Sequence, residues 1–178
     1  MRIITSCLAA VCTLLLSTGL VAQNLSPAAL VERARAEKSF EERFDLFVTP
    51  KSTAPVRALA AVGADYHTFD LDPTQLADLR KSAPDRLELT LPGEVGRVAL
   101  VRSDIFAPDF RITESGKPGY VKTPQGLHYR GVVADDKTSL VALSVYDTEV
   151  SGIVATKAGN LVLGKLTKGE GRHVLYND

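Results

Sequence analysis

The last third of the chain decides the fold: residues 126–178 read GLHYRGVVADDKTSLVALSVYDTEVSGIVATKAGNLVLGKLTKGEGRHVLYND. Short apolar runs recur roughly every ten residues, and a polar turn follows each of them. Connections this short join antiparallel neighbours, because a parallel crossover needs a longer connection. The pattern therefore predicts an antiparallel meander, in a sandwich or an open barrel. Its five strands are His128–Val133, Leu140–Tyr146, Val150–Thr156, Leu161–Leu166 and Arg172–Tyr176.

The middle of the chain has the same β texture with one helix added. Apolar and polar side chains alternate there, as they do in strands with one buried face. Asp72 can cap a helix and Pro73 suits its first position. We therefore predict a strand at Tyr66–Leu71, a helix from Asp72 to about Lys81, and a hairpin formed by Arg86–Leu91 and Arg97–Arg102.

The segment before this domain predicts a helix. Ser26 and Pro27 form a helix start, and Phe40, Phe44 and Phe47 follow at spacings of three and four, which would place them on one helical face. The fold class expected is mainly β, a meander or sandwich-like sheet with one or two short helices and this helical N-terminal segment. The predicted organisation is a signal peptide at 1–22, a helical lead segment and linker at 23–55, and a β-rich domain at 56–178.

The N-terminus predicts export. Arg2 is followed by the apolar stretch Ile3–Ala22, and the small Ala22 suits a cleavage site. A membrane anchor is the alternative, but the polar residues inside the stretch weaken it. We therefore expect a secreted, periplasmic or extracellular protein without a stable membrane anchor after cleavage. Both cysteines, Cys7 and Cys12, would leave with the signal peptide, so neither disulfide nor thiolate chemistry is expected.

The composition excludes two classes of protein. The chain has 21 basic and 21 acidic side chains, whereas a nucleic-acid binder normally shows a basic excess. An apolar fraction of 45% is too high for a disordered chain of high net charge.

The sequence offers no clear catalytic or metal-binding pattern. The three histidines, His67, His128 and His173, all fall in predicted strands, and His-Glu-x-x-His is absent. A Gly-x-Ser-x-Gly nucleophile motif and a phosphate-binding loop are absent too. Asp135 and Asp136 are adjacent carboxylates at a predicted turn, where such residues are typical of turn formation. We therefore predict a protein that is not an enzyme, with no catalytic residues, no metal ligands and no cofactor.

The same C-terminal block resembles a known kind of domain. In order, it contains His128-Tyr129-Arg130-Gly131, an Ala-Asp-Asp turn, Ser-Leu-Val-Ala-Leu-Ser, Ser-Gly-Ile, Gly-Asn-Leu-Val-Leu-Gly-Lys-Leu and His-Val-Leu-Tyr-Asn-Asp. This order resembles the propeptide of reprolysin/ADAM-type zinc metalloproteases, most closely that of bacterial secreted members. The resemblance extends over about residues 65–178 and does not include a protease domain.

The resemblance implies a non-catalytic proregion that assists folding or latency of a metalloprotease catalytic domain, its partner in cis or in trans. Because the predicted mature chain lacks cysteine, latency by a cysteine–zinc bond is not expected. The candidate protein-contact residues are His128, Tyr129, Arg130, Gly131, Asn177 and Asp178. Two alternatives stay open: Tyr129 and Gly131 could serve the sheet instead, and the chain could be a stand-alone exported β-sandwich module that binds a protein or a glycan.

Overall fold

A computed structural model describes residues 25–38, 40, 43–51, 59, 65–107, 109–121, 126–167 and 171–178. The predicted signal peptide, both cysteines and most of the predicted linker lie outside the described residues. Within the described part, no helix has the length and apolar character needed to cross a membrane.

The described residues form two helices and ten strands. These are α1 (Pro27–Glu37), β1 (Arg43–Phe44), β2 (Phe47–Val48), β3 (Tyr66–Leu71), α2 (Pro73–Ser82), β4 (Arg86–Leu91), β5 (Gly96–Arg102), β6 (Leu127–Val133), β7 (Asp136–Val145), β8 (Val150–Thr156), β9 (Gly159–Lys165) and β10 (His173–Asn177). The mainly β fold class is thus confirmed, and so are the hairpin β4–β5 and the helix after β3.

The strands form one sheet that nearly closes into a barrel, in the order β1-β4-β5-β6-β7-β8-β9-β10-β3-β2. The meander predicted for the last third is confirmed, because β6 to β10 are consecutive antiparallel neighbours. The chain then closes back on itself, since β10 pairs with β3. Only the pair of β1 with β4 is parallel among the described ladders.

One face of the sheet forms the core inside the barrel. Alternate residues of each strand point inward, which is the packing that the alternating sequence requires. The buried cluster includes Phe69, Leu89, Leu100, Leu143 and Leu175, all at most 3% exposed. The barrel interior is therefore filled by side chains over most of its length.

Helix α2 closes one end of the barrel. Asp72 caps it by accepting hydrogen bonds from the amides of Thr74 and Gln75, at 2.8 and 2.9 Å. Leu76 and Leu79 then pack into the core. We call the opposite end of the barrel, where β3 begins and β10 ends, the mouth.

Helix α1 covers part of the outer face. The Ser26 hydroxyl accepts from the amide of Ala29 at 3.3 Å, and Pro27 occupies the first turn, as predicted. Val31 is 1% exposed and packs with Ala99 and Val132, which point away from the barrel interior. The outer surface of β5 and β6 around Ala99 and Val132 is thereby buried by an apolar helix face.

The prediction of one helical face for Phe40, Phe44 and Phe47 is wrong. Helix α1 ends at Glu37, and residues 43–48 form the two short strands β1 and β2. We call residues 43–48 the closing segment, because β1 pairs with β4 while β2 pairs with β3. Leu46 lies between them, fully buried, and its carbonyl accepts from the amide of Asp72 at 2.9 Å. Two sheet edges that need partners outweigh the helical spacing of the phenylalanines.

Candidate binding site at the barrel mouth

The mouth contains a cavity of about 570 Å³. Its residues come from the start of β3, the β4–β5 and β8–β9 turns, and the end of β10. A cavity of this size in the mouth of a β-barrel is a common place for a small ligand. The lining residues are Asp65, Tyr66, His67, Glu94, Val95, Thr156, Ala158, Gly159, Leu161, Leu175 and Asn177.

The floor of the cavity is apolar. Leu175 is 2% exposed and belongs to the core, and Val95 and Leu161 are partly buried against the same core. These three side chains come from β10, a turn and β9, so they converge only in the folded barrel. The cavity can thus bury an apolar group against the top of the core.

Glycines position two polar side chains of the rim. A Cβ added to Gly93 would lie 2.6 Å from the ring of His67, so the absence of a side chain there lets the imidazole rest on the β4–β5 turn. A Cβ at Gly159 would lie 3.1 Å from the Asn177 side-chain oxygen, and Gly159 has a φ of +144°. Glycine at both positions therefore leaves room for these polar side chains close to the backbone.

Thr156 stabilises the β8–β9 turn at the other side of the rim. Its hydroxyl accepts from the amide of Ala158 at 3.1 Å and donates to the carbonyl of Gly159 at 3.2 Å. Next to this turn, the amide of Asp178 donates to the carbonyl of Asn160 at 2.9 Å. The rim is thus a set of hydrogen-bonded turns rather than an open loop.

The formal charge of the cavity lining is negative. Asp65 and Glu94 contribute carboxylates at the rim, and no lysine or arginine is among the described residues that line the cavity. Asp65 also lies opposite Asn177, since the backbone N–H of Asn177 donates to the backbone carbonyl of Asp65 at 3.4 Å. Hydrogen-bond donors with positive charge are the groups that such a rim would favour.

The structure separates the predicted contact residues into two places. Asn177 lines the cavity and Asp178 lies beside the β8–β9 turn, whereas residues 128–131 lie along β6. Tyr129 is 1% exposed inside the barrel, and its hydroxyl donates to the carbonyl of Pro84 at 3.1 Å. Arg130 is exposed on the outer face. A contact role for these residues stays a prediction.

His128 lies at the end of the barrel opposite the mouth. It is 7% exposed, and its Nδ1 lies 2.9 Å from the Ser144 hydroxyl oxygen. The rings of Phe106 and Tyr146 meet the imidazole edge-on, with centroid distances of 5.6 and 6.0 Å. Burial lowers the pKa of His128 below its usual range.

His173 lies inside the barrel and is fully buried. Its Nε2 accepts from the amide of Val150 at 3.3 Å, and its ring stacks on Phe69 with a centroid distance of 5.8 Å. An Nε2 that accepts is consistent with a neutral ring protonated on Nδ1. Burial is the main cause that lowers the pKa of His173.

We expect the protein to lose stability in mild acid. Because the pKa values of His128 and His173 are lowered in the folded state, only the unfolded chain takes up protons as the pH falls below about 6.5. Each histidine then lowers the free energy of unfolding by up to about 1.4 kcal/mol per pH unit until its folded pKa is reached. Urea unfolding at pH 7.5, 6.5 and 5.5 measures this loss.

The variant His173→Gln tests whether His173 contributes to this loss of stability in acid. Its unfolding free energy at pH 7.5 is expected to be lower than that of the parent chain, since the stacked ring is lost. Between pH 7.5 and 5.5, however, it should change less than that of the parent chain. An equal change in both proteins would contradict the role of His173.

The described residues offer no metal centre: no three His, Cys, Asp or Glu side chains among them are close enough to share an ion. His128 and His173 lie on opposite faces of the sheet, since His173 shares its face with the core residue Leu175, whereas Tyr129, next to His128, points into the core. Comparison with known proteins finds no matching family model, curated protein or solved structure.

Sequence reasoning did not select most of the mouth residues. The alternation in β3 offered a signal for two of them, because Asp65 and His67 share a face with the buried Phe69. For Glu94 and Thr156 the sequence shows only turns. Their convergence depends on how the sheet closes.

Proposed function

We propose that this domain is the non-catalytic proregion of an exported zinc metalloprotease and assists the folding or latency of its catalytic domain. The observation that carries the proposal is the ordered set of sequence elements over residues 126–178, together with the structure that they form. Each element of the set occupies one strand or turn of the continuous β6–β10 meander.

Several of these elements have structural roles in the barrel. A Cβ on Gly131 would lie 1.9 Å from the carbonyl oxygen of Ala99, and one on Gly152 would lie 2.3 Å from that of Ala142. Tyr129 fills the barrel and is hydrogen-bonded there. The resemblance is thus carried by residues that build the barrel, which supports a shared framework and leaves the contact surface to other residues.

An exposed apolar segment supports a protein partner. Between β5 and β6, Phe106 and Phe110 stack with ring centroids 4.6 Å apart, and both are 40% exposed. Tyr120 is 71% exposed, with the Arg111 guanidinium 6.0 Å from its ring centroid. Ile105 and Val121 add further exposed apolar surface. Aromatic and arginine side chains on one surface are typical of protein interfaces.

The test mixes the chain lacking residues 1–22 with the catalytic domain of a bacterial reprolysin-type protease. We expect slower hydrolysis of a fluorogenic peptide and a complex in gel filtration. The double variant Phe110→Ser/Tyr120→Ser should weaken inhibition roughly tenfold or more, as the loss of aromatic interface residues does elsewhere.

A matched control uses exposed apolar residues of another surface. Leu140 on β7 and Ile153 on β8 are 40% and 39% exposed. The variant Leu140→Ser/Ile153→Ser should inhibit within about twofold of the parent chain. Absence of both inhibition and complex with the parent chain would refute the proregion proposal. Equal loss in both double variants would refute the role of the segment between β5 and β6.

A stand-alone exported binding module is the second candidate, and the cavity at the mouth favours it. The barrel contains a preformed space lined by both apolar and polar side chains. Such a module would bind its ligand whether or not a protease is present, so ligand binding by the isolated chain without any effect on the protease would select this function.

A further inference from the structure

We infer that the mouth is a binding site for a small amphipathic amine: a cationic head group at the rim and an apolar body on the floor. The inference goes beyond the protease proposal and is independent of it. It rests on the cavity of about 570 Å³, on the residues of its floor, and on the positions of the polar groups around its rim.

The floor accounts for the apolar body. Leu175, Leu161 and Val95 present hydrocarbon side chains at the bottom of the cavity, and Leu175 is continuous with the barrel core. A phenyl or short alkyl group placed there would remove apolar surface from water on both partners. The cavity volume accommodates a ligand of this size.

The register of β3 and β10 brings three polar groups of the rim together. His67 pairs with Leu175, so Asn177 lies two residues further along the same face, opposite Asp65. Neighbours of this kind across antiparallel strands lie roughly 5–8 Å apart. The rim thus presents a carboxylate, an imidazole and an amide on one face of two paired strands.

The charges of the residues that line the cavity favour a ligand with a cationic head group. Glu94 adds a second carboxylate from the β4–β5 turn, while lysine and arginine are missing from the described lining. An ammonium group supplies three donors, which the two carboxylates and the amide oxygen of Asn177 can accept. An anionic head group would face repulsion from both carboxylates, and Lys157, the cation of the β8–β9 turn, is not among the residues that line the cavity.

Pre-organisation strengthens the assignment. The Thr156 hydroxyl bonds hold the β8–β9 turn in place, and the glycines at 93 and 159 leave room for the His67 ring and the Asn177 side chain close to the backbone. The turn that lines one side of the cavity is thus ordered before a ligand binds, which lowers the entropy cost of binding.

The test compares three probes with the same apolar body: 4-phenylbutylamine, 4-phenylbutanol and 4-phenylbutyrate. Each is titrated into the chain lacking residues 1–22, at pH 7.5 and about 20 mM salt, where screening is weak. Two-dimensional amide NMR reports binding. We expect the amine to bind at least tenfold more tightly than the carboxylate, with the largest shift changes at residues 65–67, 94–95, 156–161 and 175–177.

Two double variants distinguish the effect of the rim carboxylates on amine binding from the effect of the net charge of the protein. Asp65→Asn/Glu94→Gln removes both rim carboxylates and should weaken amine binding about fivefold. Asp109→Asn/Glu114→Gln removes the same number of exposed carboxylates from the segment between β5 and β6, and it should leave binding within about twofold. A third variant, Ala158→Phe, fills the cavity from the β8–β9 turn and should weaken all three probes.

Each contrary outcome overturns the inference. If none of the probes binds, the cavity is not a ligand site. If the three probes bind equally, or if both double variants weaken binding equally, the rim does not select a cation. If the shift changes fall outside the mouth, the amine binds elsewhere.

Discussion

Replacing Gly131 by alanine is expected to lower the free energy of unfolding by about 3 kcal/mol, or to prevent folding. Gly131 lies in β6, where its backbone contacts β5 so closely that an added Cβ would be 1.9 Å from the carbonyl oxygen of Ala99. That atom belongs to a paired strand, so it can move only if the β5–β6 ladder is disturbed. Urea unfolding monitored by circular dichroism measures the change.

Gly164→Ala is the matched control. Gly164 is also a strand glycine, in β9, but nothing lies within 4 Å of its Cβ position. Its replacement should change the free energy of unfolding by no more than about 0.5 kcal/mol. Equal urea midpoints for the two variants would show that the close approach of β5 and β6 does not determine the need for glycine.

Leu46→Ala has the second large expected effect, a loss of about 3 kcal/mol. Leu46 is the fully buried centre of the closing segment, and its side chain belongs to the core between β3 and β4. Truncation leaves a cavity at the point where the two halves of the sheet meet. We therefore expect faster hydrogen exchange at the amides of Phe44 and Asp72 in addition to a lower urea midpoint.

Val48→Ala provides the comparison for that variant. Val48 lies two residues away in β2 and is 38% exposed, so its truncation should cost less than about 1 kcal/mol. If both variants unfold at the same urea concentration, the Leu46 side chain does not stabilise the core as its complete burial indicates.

Local patterns predicted most of the fold. The five strands of the meander, the β4–β5 hairpin and the capped helix α2 all follow from alternation, turns and capping within short stretches of sequence. The closing segment could not be predicted in this way. Phe44 and Phe47 have a spacing that suits a helix, and only the distant edges of β3 and β4 make strands of them.

The candidate site was predicted less well than the fold, for a related reason. Asn177 was selected from the sequence and does line the mouth, but Glu94 and His67 come from parts of the chain that only closure of the barrel brings near it. Residues 128–131 of β6 are contact candidates because they resemble a motif of the metalloprotease propeptides. Tyr129 and Gly131 occupy positions that the sheet itself requires.

The pairing of β3 with β10 has a consequence for how the chain folds. Phe69 lies opposite His173, so the contact that joins the two ends of the sheet spans most of the domain in sequence. The entropy of closing so long a loop is lost before that contact forms, which makes such topologies slow, on the order of milliseconds to seconds. During synthesis, β3 therefore has to wait for β10 before it can pair, so we expect the barrel to close only after residue 177 has left the ribosome.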